Sequence, residues 1–238
     1  MSWENLESLI MVAGHSIFTA EDFDAPEADS SWVLEPFQKG EPPYYMQHIR
    51  EGVRLASNDP TALLVFSGGQ TRAKAGPKSE SLSYWQIARH FSWYGYDVES
   101  RATTEEYARD SFENVLFSIC RFWECVGSMP KEVKIVSWAF KEERFTLHSS
   151  AIRFPAQYFG VNNPAAGALE LAERGEEKTR RSFHNDPYGS GPELGAKRMA
   201  RNPFRRNHPY LESCKPLAGL LRHIGPQNYE GELPWKAG

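Results

Sequence analysis

No lysine or arginine occurs before Lys39, so the short apolar stretch Leu9 to Ala13, preceded by Glu4 and Glu7, has the wrong charge and length for a signal peptide. No run reaches the roughly 18 apolar residues of a membrane helix. The 238-residue chain carries a formal charge of −4 and therefore lacks the basic footprint of a protein that holds nucleic acid through phosphates. Its three cysteines, Cys120, Cys125 and Cys214, are too few and too irregularly spaced for a disulfide framework. These absences predict a soluble, cytoplasmic protein with reduced thiols that binds neither nucleic acid nor membrane.

Several chemical signatures are missing as well. There is no G-x-G-x-x-G, no G-x-x-x-x-G-K-[ST] and no G-x-S-x-G, which removes the dinucleotide fingerprint, the P-loop and the nucleophile elbow. The seven histidines show no HExxH or paired-ligand spacing, so neither a structural nor a catalytic zinc is expected. No cofactor can be named from the sequence.

What is present is a repeating alternation of strand and helix. LIMVAG (residues 9–14), TALLVF (61–66), Val98 to Arg101, Val133 to Phe140 and Gln157 to Val161 read as short strands. Between them, Tyr45 to Ser57, Ser79 to Gly95, Ser111 to Val126 and Arg144 to Phe154 carry apolar residues at helical spacing. This order predicts an α/β fold: a Rossmann-like three-layer sandwich with a mostly parallel sheet of about five strands. Thr19 to Gly40, rich in Asp and Glu, reads as an acidic surface loop. Residues 1–163 would form the domain and 164–238 a C-terminal extension packed on its sheet. Between Arg174 and His208 the extension holds nine Lys or Arg against four Asp or Glu, so it could cover a pocket or pair with the acidic loop.

Four clusters carry most of the chemistry: Gly14-His15-Ser16, Ser67-Gly68-Gly69-Gln70, Arg109-Asp110-Ser111-Phe112-Glu113-Asn114, and the segment from Ser137 through Phe140, Lys141 and Arg144. An alternating fold gathers them on the rim outside the carboxyl ends of the strands, where such sheets bind ligands. Gly68 and Gly69 suit a backbone that offers its amides to phosphate or carboxylate oxygens. Ser79-Glu80 and Asp110 to Glu113 fall at helix starts, where they serve either as caps or, for Glu80 and Glu113, as general bases. Both glutamates with Asp110 could also hold Mg²⁺ beside a phosphate. Asn114 could read a ligand edge, and Arg144 suits bidentate contact with an anion.

The order SGG, Ser79-Glu80, RDSFEN and SWAFKEER resembles the DUF218 family of SanA-like and YdcF-like proteins over roughly Leu9 to Val161. Gly14, Ser67, Gly68, Gly69, Ser79, Glu80, Arg109, Glu113, Asn114, Phe140 and Arg144 match the family pattern in type. Ser111 stands at its usual threonine, Ala108 at its serine, Asp110 at its asparagine and Lys141 at its histidine. Lys141 would not titrate near neutrality unless strongly desolvated. The resemblance implies a Rossmann-like fold with a small-molecule pocket, and the long extension resembles a fungal-type cytosolic branch. The expected partner is a small anionic, nucleotide-like or phosphorylated metabolite. Hydrolysis or group transfer on it stands beside two alternatives, a non-catalytic S-adenosylmethionine or nucleotide module and a protein-interaction module.

Overall fold

The computed structural model describes residues 3–235. In chain order its elements are β1 (Ser8–Ala13), β2 (Ile17–Phe18), β3 (Trp32–Val33), α1 (Pro42–Ser57), β4 (Ala62–Ser67), α2 (Glu80–His90), β5 (Ala102–Glu105), α3 (Ser111–Val126), β6 (Glu132–Ser137), α4 (Glu142–Ala151), β7 (Ala156–Gly160), α5 (Ala166–Asn185), α6 (Pro192–Ala200), α7 (Tyr210–Ser213) and α8 (Ala218–Leu221). Five strands pair in parallel in the order β5-β4-β1-β6-β7. The chain builds outward from β1 to β5, then returns to add β6 and β7 on the other side. That is the Rossmann-like arrangement, and the reversal places a topological switch point between β1 and β6.

The alternation of side chains along the strands sorts the core into two layers. Leu9, Met11 and Ala13 of β1, with Leu63 and Val65 of β4, pack with Phe112, Val115, Leu116 and Ile119 of α3. Ile10 and Val12, with Leu64 and Phe66, pack with Tyr45, Ile49 and Val53 of α1 and Tyr84, Ile87 and Ala88 of α2. α3 starts where the Asp110 carboxylate accepts from the Glu113 amide (2.9 Å) and stops at Gly127, whose φ of 81° a residue with a side chain rarely adopts. α2 is likewise capped by Ser79, whose Oγ accepts from the Leu82 amide at 3.0 Å.

Several expected boundaries move. The helix expected through Gly95 ends at His90, after which Ser92, Trp93 and Tyr94 all take positive φ. The strand expected over Val98 to Arg101 lies instead at Ala102–Glu105. Arg101 precedes it, buried, with its guanidinium donating to the carbonyls of Ala56, Asp59 and Ala62. The β6 strand ends at Ser137, because a 3-10 turn over Ala139–Lys141 leads directly into α4.

The acidic segment also differs from a plain surface loop. β2 and β3 pair antiparallel within it, Trp32 is buried with its indole N–H donating to the Pro26 carbonyl (2.7 Å), and Phe23 stacks on Phe18. Glu21, Asp22, Asp24 and Glu27 stay in solvent. The extension packs mainly against α3 and α4 and touches the sheet at one edge. Phe183, Tyr188, Leu194, Tyr210, Cys214, Leu217 and Leu220 join the apolar cluster of α3 and α4, and Tyr210 reaches Glu105 at the end of β5. Cys120, Cys125 and Cys214 are free thiols.

Candidate functional site

A cavity of about 480 Å³ opens at the switch point. Ala13, Gly14 and His15 leave β1 into it, Ser137 and Trp138 leave β6 into it, and the starts of α3 and α4 form its walls. α5 closes one side through Ala168, Leu171, Ala172, Gly175 and Glu176, and Arg201 reaches it from the end of α6. The opposite side is Phe37, Gln38 and Glu41 ahead of α1. Of the sequence-predicted residues, Gly14, His15, Glu80, Arg109, Asp110, Ser111, Asn114, Phe140, Lys141 and Arg144 line the cavity. Ser67, Gly68, Gly69, Gln70, Ser79 and Glu113 do not line it.

The two glycines act differently from the amide cradle their sequence suggests. The Gly68 amide donates to the Glu105 carbonyl (3.0 Å) and the Gly69 amide to the Ala108 carbonyl (2.7 Å), so neither is free for an anion. What glycine provides is close approach. A Cβ on Gly68, whose φ is +150°, would stand 2.7 Å from Glu80 Oε2, and one on Gly14 would stand 2.7 Å from Glu80 Cβ and 3.0 Å from the Ser67 carbonyl. Both absent side chains make room for Glu80 at the cavity floor. Gly14→Ala is therefore expected to destabilise the protein by about 1–3 kcal/mol through overpacking. Urea denaturation beside Gly167→Ala, where an added Cβ meets nothing within 4 Å, checks this; equal midpoints for the two variants would refute it.

Glu80 is buried, and the Thr71 hydroxyl donates to its Oε1. Burial raises its pKa, opposed by Thr71 and by the charges of Arg72 and Arg201. Glu113 has no such freedom. Its Oε2 accepts from the Arg109 amide (2.8 Å) and Nε (2.9 Å), its Oε1 accepts from Arg109 Nη2 (2.5 Å), and Arg198 Nε lies 3.4 Å from the same oxygen. A carboxylate so neutralised is a clamp for the start of α3, which removes Glu113 as a base. Asp110 is occupied too: Oδ1 caps the helix and Oδ2 accepts from Arg198 Nε at 2.6 Å. Burial would raise its pKa, yet the Arg198 guanidinium and the helix amide hold it below the ordinary value. The Mg²⁺ grouping of Glu80, Asp110 and Glu113 therefore loses two of its ligands to arginines.

Behind the wall runs a hydrogen-bonded chain. Ser67 Oγ lies 3.0 Å from both Asn114 Oδ1 and Glu105 Oε2, and the Tyr210 hydroxyl donates to Glu105 Oε1 at 2.9 Å. Burial pushes the Glu105 pKa up to about 7, opposed by the Tyr107 amide, the Tyr210 and Ser67 hydroxyls and the Ala108 amide. Ser67 thus holds the lining residue Asn114 from behind. Gln70 donates to the Pro77 carbonyl (2.9 Å), and the Ser79 hydroxyl donates to Glu106 (3.0 Å). Both are structural.

Positive charge is concentrated on the α4 side. Arg144 Nη2 pairs with Glu176 Oε2 at 2.9 Å, while Arg144 Nε and Glu176 Oε1 are buried without any partner. Lys141 Nζ sits 5.5 Å over the Phe140 ring, and burial followed by the Arg144 charge pushes its pKa down to about 8. The desolvation that would bring this lysine towards neutrality is thus present. Among the described residues neither Lys141 nor Arg201 has a carboxylate within ion-pairing distance. His15, with Nε2 3.4 Å from Ser137 Oγ, is held neutral by burial and by Lys141.

The sequence analysis assigned no individual role to Phe37, Gln38, Glu41, Trp138, His148 or Glu176. His148 Nε2 lies 2.7 Å from Ser111 Oγ, and its ring is enclosed by Phe112, Phe145 and Phe183. It fixes the direction of a hydroxyl on the cavity wall. Only the apolar spacing of α4, which puts Phe145 and His148 three apart, hinted that His148 faces inward. Glu176 gave no signal, because a charged residue in a charged helix reads as solvent-facing. The expected pairing of the extension with the acidic loop is not what forms. The extension pairs with Asp110 and Glu113 through Arg198, and Glu35 of the acidic loop faces Arg72 at 3.4 Å.

Fold and cavity together define a Rossmann-like α/β protein with a mixed-charge pocket at its sheet switch point. The chain is 28% identical over 267 aligned residues to the uncharacterized protein YOR238W of Saccharomyces cerevisiae, an alignment that covers 87% of this chain and 88% of the yeast protein. No family model and no solved structure matches it.

Proposed function

We propose that this chain is a DUF218-like protein that binds a small anionic, nucleotide-like or phosphorylated metabolite in this cavity and hydrolyses or transfers a group on it. One observation carries the reading: Lys141, Arg72, Arg144 and Arg201 converge on a cavity in which Arg144 Nε is buried without a partner. A buried donor left unpaired is costly, and an anion oxygen would satisfy it. Trp138 and Phe140 supply an apolar wall beside the cations, which suits a ligand with more than a bare phosphate.

In this reading Lys141, Arg144 and Arg201 hold negative charge. The hydroxyl of Ser111, aligned by His148, and the amide of Asn114 orient the ligand. Glu80 takes or returns the proton, since a buried carboxyl with a raised pKa is suited to that exchange.

Thermal-shift titration with nucleotides, sugar phosphates and S-adenosylmethionine tests it. At 100 times Kd a ligand adds about 2.7 kcal/mol to stability. Lys141→Ala is expected to abolish the shift, while Glu80→Gln keeps the shift and loses turnover. No shift with any phosphorylated compound would end the reading, and turnover unaffected by Glu80→Gln would end the assignment of Glu80.

A further inference from the structure

Seven large apolar side chains of the described structure stand exposed, and two of them, Phe37 and Leu171, each 64% exposed, line this cavity. They come from opposite walls, Phe37 from the turn before α1 and Leu171 from α5. Leu171 belongs to a stripe on α5 formed by Ala168, Leu171, Ala172 and Gly175, spaced three and four apart and all facing the cavity. A helix normally turns such a stripe into protein core. Here Leu171 and Gly175 are open to solvent, so the stripe has no protein to bury it.

Most of the polar groups beside Phe37 are already committed. Gln38 Nε2 donates to the His15 carbonyl (2.8 Å) and to Tyr45 Oη (3.0 Å), and its Oε1 accepts from the Glu35 amide (3.0 Å). Glu41 Oε2 accepts from the Tyr45 hydroxyl at 2.5 Å. On that segment only Glu41 Oε1 is left without a hydrogen-bond partner, a single acceptor where the edge of a nucleobase calls for a donor and an acceptor together. The inner end is the opposite in character, with Lys141, the unpartnered Arg144 Nε and the hydroxyl of Ser111.

From this polarity we infer that the ligand is an amphiphile: a phosphate monoester whose charged head lies at Lys141 and Arg144 and whose hydrocarbon arm leaves the cavity between Phe37 and Leu171. The inference rests on the anion-binding reading above and narrows it to one substrate class. Burial of the arm against Phe37, Ala168, Leu171 and Ala172 supplies affinity that a nucleoside, needing polar partners at the same place, would not gain.

Isothermal titration with inorganic phosphate and with methyl, butyl, hexyl and octyl phosphate, each below its micelle concentration, tests it. Kd is expected to fall by about fourfold for each methylene that the walls cover. Phe37→Ala and Leu171→Ala, both at exposed positions and compatible with folding, should flatten that dependence and leave the Kd of inorganic phosphate unchanged. A Kd that stays constant from methyl to octyl phosphate overturns the inference. So does a nucleoside monophosphate that binds as tightly as octyl phosphate and is indifferent to both substitutions. Loss of inorganic phosphate binding itself would instead count against the anion site, so the two readings fail separately.

Discussion

Glu176→Ala is expected to lower stability by about 3–5 kcal/mol, the usual result of removing one partner from a buried ion pair. The side chains of Arg144 and Glu176 are 12% and 7% exposed and meet at 2.9 Å. Without Glu176 the Arg144 guanidinium stays buried next to Lys141, so desolvation and like-charge repulsion act together. For a chain of this length the loss corresponds to a fall in Tm of about 6–20 °C. The same substitution frees Arg144 to hold an anion, so phosphate should raise the Tm of the variant by more than that of the parent. An unchanged Tm would mean that the pair is screened by water. A lower Tm with no phosphate response would mean that Arg144 does not face the ligand.

The second large effect is a steep acid transition. Burial drives the pKa values of His48 and His148 down to about 3, with Lys141 acting further on His48 and Arg144 on His148, while the Asn162 hydrogen bond opposes the shift at His48 and the Asp110 charge opposes it at His148. A histidine that is neutral in the fold but protonated in the unfolded chain costs stability as pH falls from 6.5 towards 3, about 1.4 kcal/mol per pH unit. Glu105 works the other way. With its pKa at about 7 it stays protonated in the fold while the unfolded chain ionises, so it stabilises progressively as pH falls from 7 to about 4.5 and adds nothing more below that. The raised carboxyls of Glu41 and Glu80 have the same sign as Glu105.

His15 and His208, lowered by burial as well, have the sign of His48 and His148. Glu105 offsets only one histidine between pH 5 and 6.5 and none below 4.5, so the unfolding free energy from urea melts should decline with falling pH and steepen by about 1.4 kcal/mol per pH unit below that point. The depressed pKa values of Asp59 and Asp110 steepen the fall further. Glu105→Gln should steepen the decline between pH 5 and 6.5 by about 1.4 kcal/mol per pH unit. An unchanged slope in that window would refute the compensation.

The parallel α/β fold and the rim were legible because short apolar runs alternated with helical spacing, and in that topology the strand ends must converge. Gly14, Lys141 and Arg144 reached the cavity for this reason. The Gly68-Gly69 pair was misread because its amides are filled by the Glu105 and Ala108 carbonyls, from a segment whose closeness no local pattern announces. Glu113 was readable in principle, since Arg109 stands four residues before it, the spacing of a helical ion pair. The contribution of α5 was not readable, because a helix outside the alternating repeat can pack in many directions and its charged residues look solvated.

The cavity's lining runs from Ala13 to Arg201, which gives the molecule an order of assembly as well as a shape. During synthesis the sheet strands through β7 can pair before the chain has reached Arg201, but one wall is still missing. The cavity is thus closed late in the chain, and a polypeptide that stops after β7 lacks the wall that α5 and Arg201 supply.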